Sequence, residues 1–269
     1  MTPFLIKYKS PLRRIPIQIN PREAFILDGI RISMEMISAN ASTLTTSITD
    51  FSILDPFATP KIGTSLLFSS AWAIIDNSAR LNRLLKALAT KVVDADLQTM
   101  LDEIHTVRNT FQHIDERIEE FFVDNGGALL GYLTWFFIID DKNINMFMVK
   151  SGIDNKGTST SIVFNDISNG RTGIHHLVLT SFKRVGKGFV ESNINITLLI
   201  DMLEKLLISL EELMEKTIKA NIDNPDWDNN VFTLGEVKQL QGTWKPDNTA
   251  TFSRTVLHDE FRIIHHDGI

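Results

Sequence analysis

The amino-acid sequence predicts a mainly α-helical protein: a four-to-five-helix up-and-down bundle with an antiparallel β-meander inserted between its third and fourth long helices. Three observations predict it. Apolar residues recur at helical spacing through several long stretches. β-prone runs separated by turn residues are confined to one block at about 130–183. Strands and helices do not alternate, which argues against a parallel-sheet enzyme fold. On this reading residues 1–220 form the helical unit with its β insertion, and residues 221–269 form an irregular C-terminal extension.

Each element has a local reason. Residues 1–21 read as extended, because Pro3, Pro11, Pro16 and Pro21 interrupt a helix and Ile15, Ile17 and Ile19 alternate. Pro21 suits the first position of a helix capped by Asn20 and expected to reach about Ala39. Residues 40–62, rich in Ser and Thr and holding Pro56 and Pro60, read as a loop with room for a short turn of helix. The second helix, 64–90, carries Leu67, Ala71, Ile74, Ile75, Leu81, Leu85 and Leu88 at helical spacing. A break at Val92–Asp94 leads to a third helix, from about Ala95 to Phe122. Its seam is Leu97, Leu101, Ile104, Val107, Phe111, Ile114, Ile118 and Phe121, and Gly126-Gly127 ends it.

The period then changes. Tyr132–Ile139 and Ile144–Val149 flank Asp140-Asp141-Lys142-Asn143, a hairpin signature. Ser159–Phe164 and Ile174–Phe182 add two strands around Asn169-Gly170. A fourth long helix follows from Ile194 to Ile218, through Leu198, Met202, Leu206, Leu210 and Leu213. Beyond it Pro225 and Pro246 break a polar tail.

Composition narrows the function classes. With 269 residues, 43% hydrophobic and 22% charged, the chain reads as soluble and globular with a substantial core. A net charge of −6 argues against a surface built for general nucleic-acid binding, so any RNA contact has to come from a local basic patch. Two such patches stand out. Residues 1–22 hold Lys7, Lys9, Arg13, Arg14 and Arg22, and residues 171–187 hold Arg171, Lys183, Arg184 and Lys187, both without an acid. Solvated surface is the plainer reading of each.

The lack of cysteine excludes disulfides and thiolate metal sites. No metal site is expected from histidine either. His175 and His176 are adjacent on a strand and point to opposite faces, while His258, His265, His266 and Asp267 lie in the polar tail. Trp135, Phe136 and Phe137 could stack on bases but read first as core. A phosphate-cradling P-loop, a Gly-x-Ser-x-Gly elbow and a zinc-protease histidine pair are all missing, so no cofactor is expected. Phe4-Leu5-Ile6 is too short for a secretory core, and Leu129–Ile139 is about half of the ~20 residues a spanning helix needs. A cytoplasmic protein with no membrane segment is the expectation.

One stretch carries chemistry. Arg108-Asn109-Thr110-Phe111-Gln112-His113 puts a permanent cation, an amide and a titratable imidazole within one helical stretch. Arg can hold phosphate oxygens while His moves protons near neutral pH. At about 100° per residue Arg108 falls between Leu97 and Leu101, inside the apolar stripe, and therefore needs an anionic partner. Asp76 and Glu23 on neighbouring helices could supply one, and Asp115 is too far along the axis. His113 points away from the stripe, toward solvent, a distorted turn or another subunit. Asp76 and Arg80 stand four apart, a spacing that reads as a surface ion pair. His105 falls on another face and reads as incidental.

Arg-Asn-x-x-x-His in a helical bundle resembles the signature of the HEPN superfamily. The continuation His113-Ile114-Asp115-Glu116-Arg117-Ile118 and the preceding helix from Ala71 to Leu85 are similar to many bacterial members, so the likeness covers roughly residues 64–120. The resemblance implies a metal-independent endoribonuclease of toxin or defence type, acting as a homodimer that brings two motif copies together. His113 would transfer protons, Arg108 would stabilise phosphate charge and Asn109 would be a polar positioning residue. Asp76 would orient Arg108 or His113, with Arg80 and Arg83 as phosphate contacts. RNA is the implied substrate, and an antitoxin or other protein is an implied partner. The alternatives are a non-catalytic interaction or oligomerisation module, and a nucleotide- or phosphate-binding module using the same arginine.

Overall fold

The computed structural model describes residues 3–16, 18–53, 63–88, 92–113, 118, 128–138, 144–151, 173–186, 188–222, 240–244 and 250–254. Among these the chain is mainly helical, with four α-helices, a four-stranded antiparallel sheet and a separate two-stranded hairpin. The N-terminal segment is irregular apart from a short 3-10 turn at Pro11–Arg13.

Helix α1 (Pro21–Ile53) starts as expected, with Asn20 Oδ1 accepting from the Arg22 backbone N–H at 2.9 Å. It continues well past Ala39, a correction to the expected loop. Ser and Thr do not break it because Ala41, Leu44 and Ile48 maintain the buried stripe. Their hydroxyls bond within the helix as well: Thr43, Thr45 and Ser52 donate to carbonyls one turn back. Pro56 and Pro60 lie outside the described residues.

Helix α2 (Thr64–Ala87) packs along α1, and α3 (Ala95–Gln112) packs against α2. Asp94 caps α3, accepting from the Leu97 N–H at 2.8 Å, and Leu97, Leu101, Ile104 and Val107 are its buried seam. The regular α-helix ends at Gln112 and His113 occupies a turn; of the expected continuation to Phe122 only Ile118, in π-helical conformation, is among the described residues. Neither Gly nor Pro stands at that point; tertiary contacts gather there instead. Phe111 stacks on Trp72 with ring centroids 3.9 Å apart, and Thr110 Oγ1 accepts from the Arg184 backbone N–H at 3.1 Å. Ile118 is exposed, while Ile114, Phe121 and Gly126-Gly127 lie outside the described residues.

The sheet comprises β1 (Tyr132–Ile138), β2 (Ile144–Lys150), β3 (Gly173–Val185) and β4 (Gly188–Asn195) in the order β2-β1-β3-β4. Two expectations are corrected here. Strand β3 adds to the far edge of β1, so successive strands are not all neighbours, and the block extends past 183 to Asn195. Strand β4 is thin in apolar residues, with Ser192 and Ile194 its buried positions, and is held by an unbroken ladder to β3. The expected strand Ser159–Phe164 lies outside the described residues.

Two backbone features fit the sheet to its neighbours. The register between β1 and β3 shifts between Thr134 and Phe136, opposite His176, which has φ 52°. The Leu177 N–H beside this bulge donates to Thr197 Oγ1 at 2.9 Å, which satisfies a group the ladder leaves over. Gly131 has φ +85°, and a Cβ there would lie 2.2 Å from the Thr180 carbonyl oxygen, so the close approach requires glycine.

Helix α4 (Ile196–Asn221) follows β4 directly, with Asn195 Oδ1 capping it at the Leu198 N–H, 3.0 Å away. Its buried face runs through Leu199, Leu203, Leu206, Leu210, Met214 and Ile218. Leu198 is exposed, so the seam is rotated from the expected Leu198–Met202 line. Strand β3 lies against both α3 and α4 and joins the sheet to the helical core. Trp135 and Phe136 are buried and Phe137 is partly so, which makes them core rather than a base-stacking face. The C-terminal region is not wholly irregular: β5 (Leu240–Trp244) and β6 (Ala250–Arg254) pair antiparallel. No described helix is long and apolar enough to cross a membrane.

Candidate functional site

The seam between α2 and α3 gathers most of the residues singled out from the sequence. Trp72–Phe111, Asp76–Arg108 and Asn82–Asp102 contacts run in opposite senses along the two helices, so they are antiparallel neighbours. Arg108 Nε donates to Asp76 Oδ1 at 2.9 Å. This is the anionic partner that an inward-tilted guanidinium requires. The Arg108 side chain is 22% exposed and that of Asp76 is 52% exposed, so the pair sits at the lip of the seam. Among the described residues this is the one hydrogen bond of the Arg108 side chain. Asp76 holds Nε, and the two Nη groups are left to other ligands.

The expected Asp76–Arg80 ion pair is not formed. Asp76 is engaged by Arg108, and Arg80 Nη1 instead donates to Asn77 Oδ1 at 3.2 Å. Asn77 is buried one residue along α2 and offers a carbonyl oxygen without the competition of a second cation. Arg80 and Arg83 are both exposed, and Arg83 has no ion pair among the described residues. Lower in the seam Asp102 accepts from Lys86 at 2.6 Å, Asn82 at 2.9 Å and Gln98 at 3.1 Å. The Lys86 and Asn82 hydrogen bonds hold the Asp102 carboxyl below the usual carboxylate range, with burial opposing them.

His105, incidental by its position in the sequence, makes a contact within the seam. Asn109 lies one turn on, and its Nδ2 approaches His105 Nε2 at 3.1 Å. An amide N–H donates, so Nε2 accepts and the ring is neutral. The buried Nδ1 then carries the ring hydrogen and has no hydrogen-bond partner. Burial pushes the His105 pKa down, and Arg83, Lys86 and Arg108 push it the same way, against Asp102. The i,i+4 spacing of His105 and Asn109 was the signal available in the sequence.

The sign of this shift sets a pH dependence. Above the usual imidazole value of 6.5 the ring is neutral in folded and unfolded chains alike. Below it the unfolded chain takes up the proton first, so folding stability falls as pH drops toward the lowered folded value. Asp102 and Glu103, lowered from 3.8 and 4.5, weaken the fold only in more acidic solution. His176, lowered by burial, adds to the same upper window. The thermal midpoint by circular dichroism should therefore decline from pH 7 to pH 5, and His105→Gln should flatten that decline. An unchanged slope in the variant would contradict the assignment.

His113 is exposed in the turn after α3, close to the end of the seam. The second basic patch approaches the same turn from another element. Lys183 pairs with Glu103 at 2.5 Å, and the Arg184 main chain meets Thr110. The first basic patch is partly neutralised, because Arg13 pairs with Glu35 on α1. His176 contacts Asn195 at 3.3 Å, and no group of three or more His, Cys, Asp or Glu residues able to hold a metal occurs among the described residues. His258, His265, His266 and Asp267 lie outside those residues.

The fold and site together define a mainly helical protein with a cation-rich seam ending at an exposed imidazole. Comparison with protein-family models, curated proteins and solved structures finds no match.

Proposed function

We propose that this chain is a HEPN-like, cytoplasmic, metal-independent endoribonuclease that acts on RNA as a homodimer through Arg108, Asn109 and His113. The observation that carries the proposal is the way Asp76 grips Arg108 through Nε, with exposed His113 in the turn beyond. A guanidinium fixed from behind by a carboxylate presents its Nη edge to phosphate oxygens without reorganising. Arg80 and Arg83 extend the positive field along about 10 Å of α2, at 1.5 Å per residue from Asp76 to Arg83. Such a track gives local RNA affinity to a chain whose net charge is −6.

The reaction uses the nucleophile that RNA carries. A neutral His113 takes the proton from a 2′-hydroxyl as its oxygen bonds to the adjacent phosphorus. Charge gathering on the non-bridging oxygens is offset by Arg108. The P–O5′ bond breaks, and an imidazolium, on the same ring or the second motif of the dimer, protonates the departing oxygen. The products are a 2′,3′-cyclic phosphate and a 5′-hydroxyl. Asn109 acts by holding His105 neutral beneath the seam, so that it adds no further charge against Arg108.

A second reading, a non-catalytic interaction module, draws on the same ion pair as a tie between α2 and α3. Incubating total RNA with the protein in excess EDTA separates the two. Wild type should yield cyclic-phosphate ends, and His113→Ala should lower the rate about 100- to 10,000-fold. Because His113 is exposed, the variant should keep the wild-type unfolding midpoint. Equal or absent cleavage in both samples would leave the scaffold reading standing.

A further inference from the structure

The β3–β4 hairpin is tied to α3 more tightly than an inserted surface element requires. Glu103 of α3 accepts from Lys183 Nζ at 2.5 Å and from Ser192 Oγ at 2.5 Å, so it grips both strands at once. Burial works to raise the Glu103 carboxyl, and the hydrogen bonds from Lys183 and Ser192 outweigh it and hold the carboxyl low. A third tie runs from the Arg184 backbone N–H to Thr110 Oγ1 at 3.1 Å. Thr110 lies inside the Arg108–His113 motif, so these anchors fix the end of β3 against the motif's own turn of helix.

The angular order around α3 makes that placement consequential. At about 100° per residue, His113 falls between Asn109, on the side facing α2, and Thr110, on the side facing β3. Arg108 therefore lies on one side of His113, and the main chain of Arg184, bonded to Thr110, lies on the other. Arg184 is exposed, and its Nε donates to the Gly186 carbonyl at 3.3 Å, which folds the side chain over the hairpin turn. The carbonyl end of α3 repels phosphate by its partial negative charge, so a phosphate near His113 has to be held by side-chain cations, from α3 itself and from neighbouring elements.

We propose that the β3–β4 hairpin forms the second wall of the substrate groove and that Arg184 holds an RNA phosphate across His113 from Arg108. This rests on the ribonuclease reading above. The pairing gives the groove two grips on one strand, one oriented by Asp76 and one carried on the hairpin that Thr110 and Glu103 anchor. Arg184 contacts the backbone and not a base, so it contributes affinity and register without sequence preference.

The test is steady-state cleavage and fluorescence-anisotropy binding of a short single-stranded RNA at several salt concentrations, with the full chain. Arg184→Ala should raise KM about tenfold with kcat nearly unchanged, and should reduce the salt slope of binding by about 0.7. The anchor uses the main chain, so the variant keeps the hairpin in place, and Arg184→Lys should recover part of the loss. Lys219→Ala, a cation paired with Glu215 on α4, should leave both quantities as in wild type. Wild-type cleavage with Arg184→Ala unchanged in KM and slope would overturn the hairpin assignment and leave the enzyme reading intact. A wild type that neither binds nor cleaves RNA would overturn both.

Discussion

Arg108→Ala is expected to lower the single-turnover rate of RNA cleavage about 100- to 1,000-fold, the range for removing one preorganised donor to a developing oxyanion. On the proposed reading the loss should fall on the chemical step, because Arg80 and Arg83 would remain to hold the strand. Arg108→Lys should rescue little. An ammonium is a single point of charge, and it cannot bond Asp76 on one edge while presenting a second edge to phosphate. Asp76→Asn should cost about tenfold: the amide oxygen still accepts from Nε, but the orienting charge is gone. Folding stability should change little in all three variants, since Asp76 is 52% exposed and pairs at that level contribute about 0–1 kcal/mol. Quenched-flow with enzyme in excess over a labelled RNA reads the chemical step directly. Cleavage by Arg108→Ala within about threefold of wild type would leave the ion pair as a tie between helices and nothing more.

Local chemistry fixed the parts of the fold that the sequence made legible. Asn20 and Pro21, Asp94 and Ala95 start α1 and α3 where capping rules place them. Arg108 was legible for the same kind of reason: a charge at a seam position has to find a partner, and Asp76 faced it from the next helix. What escaped depended on distant contacts. Residues 40–53 look like a loop by composition, yet Leu44 and Ile48 turn them into helix once a core is there to bury against. Strand β4 has too few apolar residues to signal itself and exists because β3 supplies its ladder. The end of α3 at Gln112 coincides with Trp72 and Arg184, which are remote in sequence. His105 was dismissed by helical angle, but at about 60° from Arg108 it is near enough to share the seam. Its lowered pKa comes first from burial and then from Arg83 and Lys86 of α2 and Arg108, and no window of α3 alone contains the α2 cations.

The same dependence on remote contacts gives Trp135 the largest expected effect on stability. Its side chain is fully buried in β1, stacked on Phe147 of β2 at 5.4 Å between centroids and met edge-on by Phe51 of α1 at 5.8 Å. Its indole N–H donates to Ser52 Oγ at 2.9 Å. Phe51 and Ser52 belong to the last turn of α1, in the stretch whose composition reads as loop, so one side chain joins that turn to the sheet. Trp135→Ala should cost about 3–5 kcal/mol, as removal of a buried indole leaves a cavity beside two aromatic rings. Trp135→Phe keeps the ring contacts but leaves the Ser52 hydroxyl without its donor, and should cost less. Ser52→Ala leaves a buried indole N–H unsatisfied, at about 1–3 kcal/mol. Urea unfolding followed by far-UV circular dichroism measures all three without using the tryptophan signal that the mutations alter. If the sheet and helices unfold together, the midpoint shifts and the denaturant slope stays constant. A lower slope for Trp135→Ala would mean that the sheet has come away while the helices persist. On the proposals above, the cleavage rate then separates the two elements: a detached sheet would carry Arg184 away and raise KM, whereas Asp76 and Arg108 would stay on α2 and α3 and keep kcat.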